Sequence, residues 1–170
     1  MKLEKVAAEA RVLGDEASLV PALMYVSWNA TFAGDMDSAT RAATEAIAVA
    51  RESETPIAIA HALTAMSRVA LVHGDVEEAR SQASRAVDLY RQAGATAYAI
   101  LPLGVLASLA WAADDAATTA ALLRKMLDQH MEAGFTVAMH PFVADLLEAE
   151  VALGQVDLAE RLIDAFATAG

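Results

Sequence analysis

Apolar residues recur along almost the whole chain at helical spacing, three and four positions apart, and the pattern breaks at regular intervals. The breaks fall at Gly14, Gly34, Glu54, Gly74, Gly94, Asp114, Gly134 and Gly154, one turn every 20 residues, and six of the eight glycines lie on this grid. The residue just past a helix end commonly takes a left-handed conformation that costs glycine nothing, so the grid predicts helix ends. Helices are expected over 2–13, 17–33, 36–52, 56–73, 76–93, 96–113, 115–133, 136–153 and 156–168. Asp35 and Asp75 suit the next helix start as cap or first-turn acid, and Asp114-Asp115 reads as a helix start in place of a catalytic pair. Pro56 fits a first turn, whereas Pro102 lies inside 96–113 and should kink that helix or delay its start.

The helices alternate in kind. Those following Gly14, Glu54, Gly94 and Gly134 are nearly charge-free, with Arg68 their one arginine, while the intervening helices carry most of the charge. A helix that is apolar around most of its circumference must be covered on several sides. Composition agrees with an all-helical fold, since 42 residues are alanine and only nine are aromatic, which starves a sheet of the side chains it needs. The uncharged stretch from Gln92 to Ala113 is long enough to cross a membrane, but Gly94, Pro102 and Gly104 interrupt it and no basic cluster or aromatic belt flanks it. It is therefore read as a buried helix.

The turns at 34, 74, 114 and 154 divide the chain into repeats of 40 residues with recurring contents. Before the turn come Leu23, Val26, Ser27, Ala30, then Leu63, Met66, Ser67, Ala70, then Leu103, Leu106, Ala107, Ala110. After it come Ala39, Ala43, Ala46, then Ala79, Ala83, Ala86, and in the last repeat Ala159, Ile163, Phe166. This order of large and small residues around a Gly-Asp turn resembles the tetratricopeptide repeat, in a 40-residue form similar to the repeat regions of the large LuxR-type ATP-binding transcriptional regulators of bacteria. The resemblance implies a right-handed α-α solenoid of about nine helices in roughly four pairs, a single domain over 1–170 with repeats 14–53, 54–93, 94–133 and 134–170 after a partial one at 1–13. Thr119, Leu123 and Met126 in the third repeat and Leu147 and Glu150 in the fourth depart from the pattern. The unpaired first helix is what a segment of a longer array, or a unit that dimerises through its ends, would carry.

If the solenoid forms, residues of the inner helices turned away from the seam line its concave face. These candidates are Met24, Trp28, Phe32, His61, Thr64, Arg68, Leu101, Ser108, Trp111 and Glu148. Large flat apolar groups beside one arginine suit an amphipathic effector, a peptide or a partner protein, with the aromatics as anchors and Arg68 holding an acidic group. A lone arginine on an uncharged helix also calls for an internal carboxylate, of which Glu148 is one.

Charge and motifs narrow the function classes further. Twelve basic residues against 23 acidic ones give a net charge of −11, which disfavours nucleic acid as a direct partner. There is no cysteine, His61 and His73 lie three helical turns apart, and no nucleotide loop or nucleophile motif occurs, so no metal, no cofactor and no catalytic residue is expected. Residues 1–14 carry mixed charge, unlike a secretory leader, and a cytoplasmic location is expected. The leading expectation is a non-catalytic binding or scaffold module; a self-assembling homo-oligomer or homodimer is the alternative.

Overall fold

The computed structural model describes residues 2–53, 55–132 and 142–168, and among them the chain is all-helical. The elements are α1 (Lys2–Leu13), α2 (Glu16–Phe32), α3 (Met36–Ser53), α4 (Pro56–His73), α5 (Val76–Gln92), a 3₁₀ turn (Thr96–Ala99), α6 (Ile100–Ala112), α7 (Ala116–Glu132), α8 (Val143–Ala152) and α9 (Val156–Thr168). Two differences from the sequence pattern stand out. Pro102 delays α6, so a 3₁₀ turn occupies 96–99 and the proline sits in the first turn of the α-helix, where its missing amide is harmless. The helix expected from 136 is described only from Val143; Gly134, His140 and Pro141 lie outside the described residues.

One turn geometry recurs throughout. At Gly74 the backbone reaches φ 82°, the Gly74 amide donates to Leu71 O (3.1 Å) and the Asp75 amide to Ala70 O (2.9 Å), which satisfies the last carbonyls of α4. Asp114 supplies the same conformation without glycine, at φ 57°, with the Asp115 amide donating to Ala110 O at 3.0 Å. The following helices start on aspartate caps. The amides of Ser18, Ser38 and Thr118 donate to the carboxylates of Asp15 (3.2 Å), Asp35 (3.0 Å) and Asp115 (3.0 Å), and the hydroxyls of the same residues help hold all three carboxyls below their ordinary range. Asp75 occupies the cap position of α5 without a side-chain bond, and Glu78 stands where the other three turns place Ser or Thr.

The chain divides into two compact units, Met1–Ala95 and Thr96–Gly170, and the division falls beside the repeat boundary at Gly94. In the first unit α2 packs on α3, both pack on α4, α4 packs on α5, and α1 covers α2. The seams are lined by alanine: Ala39, Ala43, Ala46, Ala79, Ala83 and Ala86 are completely buried, so the helix pairs meet at close range. Leu23, Leu63 and Val20 fill the layer between them. More than half of α4, the one described helix long and apolar enough to span a bilayer, is buried in this unit, as in the core helix of a globular protein.

The second unit repeats the arrangement of neighbours, with α6 on α7, α7 on α8 and α8 on α9. Its outer positions are larger: Thr119, Leu123 and Met126 are buried where the first unit has alanine, while Ile163 on α9 is half-exposed. Phe142 packs so closely on α6 that a Cβ at Gly104 would sit 2.3 Å from its ring, which accounts for a glycine in mid-helix. Glu150, fully buried on α8, is held by the Arg124 guanidinium through a two-pronged contact whose Nε–Oε1 arm is 2.5 Å.

Candidate functional site

The candidate site in the first unit is built by the last turns of α2 and the second half of α4. Trp28, Thr31 and Phe32 lie three and four residues apart on one face of α2, and Arg68 reaches them from α4. The Arg68 guanidinium carbon stands 5.3 Å from the centre of the Trp28 ring and 4.7 Å from that of Phe32. The two rings are tilted by 59° with centres 6.3 Å apart, so the cation occupies an aromatic corner.

A short hydrogen-bond chain fixes its orientation. Arg68 Nε donates to Thr31 Oγ1 at 3.2 Å, and the Thr31 hydroxyl donates back to the Trp28 carbonyl at 2.7 Å. The base of the corner is buried, with Trp28 only 4% exposed, while Phe32 is 54% exposed and forms its open wall. The surface combines a flat apolar group with a positioned cation.

The chain matches no protein-family model, and no curated protein matches it in sequence. The chemistry of the site therefore rests on its own geometry.

The other candidates are placed as follows. Met24 on α2 is buried in the first unit. His61 and Thr64 are buried too, and their partner is on α5: the Tyr90 hydroxyl and His61 Nδ1 are hydrogen-bonded at 2.7 Å, their rings meet edge-on, and Thr64 Oγ1 lies 3.5 Å from the same hydroxyl. Thr64 also donates to the Ala60 carbonyl at 2.8 Å. Burial pushes His61 down to about 4, so the ring is neutral at neutral pH. In the second unit, Leu101, Ser108 and Trp111 on α6 are half-buried and Glu148 on α8 is exposed.

Tyr90 and the Arg124–Glu150 pair were not among the sequence candidates. For Glu150 a signal was present, because it occupies a position at which the repeat pattern asks for a small residue. Tyr90 offers only its place on a charged helix among solvent-facing arginines, which says nothing of its complete burial. Among the described residues no group of three or more His, Cys, Asp or Glu side chains is arranged to hold a metal ion.

Proposed function

We propose that this chain is a non-catalytic binding or scaffold module, a right-handed tetratricopeptide-like solenoid of the kind found in bacterial LuxR-type regulators, acting in the cytoplasm. The single observation that carries the reading is Arg68 held in the corner of Trp28 and Phe32 and anchored to Thr31. The recurrence of one turn and one set of helix neighbours in both units supports the repeat architecture.

The ligand is an amphipathic peptide segment or effector that lays an apolar group on Phe32 and an acidic group beside Arg68. Binding needs no rearrangement of the corner, because Trp28 and Thr31 already fix it. A library of amphipathic acidic peptides tests this, with Trp28 fluorescence as the readout in a Trp111→Phe background. The expected result is saturable quenching by a subset of peptides that weakens at least tenfold in Phe32→Ala and in Arg68→Gln. Binding that survives both substitutions refutes the site.

A second reading, self-association, is favoured by Val12 and Leu13, which are 86% and 78% exposed at the end of α1. Light scattering across a range of concentrations separates the two readings: a mass that doubles with concentration and reverts in Val12→Ser/Leu13→Ser supports an interface there, and a constant monomer mass rejects it.

A further inference from the structure

Each charged helix from α3 to α7 buries one stripe where it packs on the nearly charge-free helix before it. The stripe is Ala43 and Ala46 on α3, Ala83 and Ala86 on α5, and Leu123 and Met126 on α7, none more than 3% exposed where these helices pack on α2, α4 and α6. Forty residues before Ala43 and Ala46 stand Leu3 and Val6 of α1. Leu3 is only half-buried and Val6 is 44% exposed, so on α1 the same stripe is open. Leu13, two helical turns beyond Val6, continues it and is exposed.

The charge-free helices repeat the comparison. Ala65 and Val69 of α4 are buried, and α4 has α2 packed beside it. Their counterparts forty residues earlier on α2, Tyr25 and Asn29, are exposed. The open strips of the two helices converge, since Leu3 and Asn29 line one cavity of about 290 Å³ together with Val26 and Ala30 of α2. The edge of the first unit is thus a two-walled trough that continues the seam between charged and charge-free helices. One repeat further on, the equivalent place against α3 and α4 is filled by α2 itself.

We propose that the trough between α1 and α2 is a docking site for a single α-helix of another polypeptide, one of the same character as α2 and α4. Such a helix is nearly free of charge, presents small residues four and then three positions apart toward α1, and lies antiparallel to it. A charged helix does not fit, because it would bring unpaired charges onto Leu3 and Val6. A second copy does not supply the occupant either, since the small residues of its own charge-free helices, such as Ser67 and Ala70, are already buried within the fold. The charges of α1 nearest the stripe, Lys2, Lys5 and Glu9, are exposed and remain in solvent around the docked helix.

A capped peptide of the α4 sequence, residues 56–73 with a trilysine tag for solubility, is the probe, because it has the required pattern and no tryptophan. It is titrated into the full chain and followed by amide chemical shifts. The expected result is saturable binding with shifts at Leu3, Val6, Tyr25 and Asn29, at least about tenfold weaker for the peptide carrying Ser67→Leu/Ala70→Leu, which has lost the small residues that allow close approach. Val6→Glu/Asn29→Glu in the chain alters only exposed positions, so its circular dichroism should be unchanged while binding weakens at least about tenfold, although the added acids attract the tag. Arg68→Gln in the chain should leave the affinity unaltered, which separates this site from the Arg68 corner. Equal binding of the two peptides, shifts centred on α3 and α5 as displacement of the chain's own α4 would give, or no saturable response overturns the proposal. So does a dimer in sedimentation that Val6→Glu converts to monomer, because a second copy would then be the occupant.

Discussion

Acid should weaken the first unit through one side chain. His61 is 5% exposed, hydrogen-bonded to Tyr90 at 2.7 Å, and burial pushes it from 6.5 down to about 4. The folded state thus binds its proton more weakly than the unfolded chain does. Stability from this group is complete above pH 6.5, is lost progressively as pH falls below it, and stops changing near pH 4. The displacement corresponds to about 3 kcal/mol in full and about 2 kcal/mol between pH 7 and pH 5. Part of the hydrogen bond survives protonation, because an imidazolium can donate to the tyrosine oxygen, so the loss comes from desolvating the charge.

Urea denaturation at the two pH values measures this, read by Trp28 fluorescence in a Trp111→Phe background. A loss of about 2 kcal/mol moves the midpoint by roughly 1 M. Lowering pH also relieves the repulsion of a chain of net charge −11, a stabilising effect that reaches every variant alike. The comparison that isolates His61 is His61→Gln, which keeps a polar side chain able to face Tyr90 but does not titrate. The pH 7 to pH 5 loss in the parent should exceed that in His61→Gln by about 2 kcal/mol. Equal pH dependence in the two proteins would refute the assignment.

Three further outcomes follow from particular contacts, each read by thermal or urea denaturation. Asp114→Gly should stabilise the second unit by about 0.5–1 kcal/mol, since glycine takes φ 57° without strain, and Gly74→Ala should destabilise the first by about 1 kcal/mol. Gly104→Ala should cost about 1–3 kcal/mol by driving a methyl into the Phe142 ring, and Gly104→Ala/Phe142→Leu should recover part of it. Arg124→Gln should cost about 1–3 kcal/mol because it leaves the buried Glu150 carboxylate without its cation, the half-exposure of Arg124 setting the lower end.

The turns were legible in the sequence because their causes are local. A left-handed residue after a helix and an aspartate before the next leave a mark within two positions, which is why the irregular Asp114-Asp115 could be placed on the same grid as the glycines. The delayed start of α6 was legible for the same reason, through Pro102. Counting from the turns also located Trp28, Phe32 and Arg68, the three candidates that the fold brings together. The same count assigned His61 and Thr64 to the ligand face, but it follows helical angle alone and carries no information about how far Tyr90 reaches in from α5.

The Arg68 corner is the centre of the proposed function, and the most direct measurement on it is an amide chemical-shift map of the full chain saturated with its best-binding acidic amphipathic peptide. Shifts should concentrate on Trp28, Thr31, Phe32 and Arg68 and disappear in Arg68→Gln. A bound peptide whose shifts lie elsewhere and persist in that variant would contradict the assignment of this surface as the binding site.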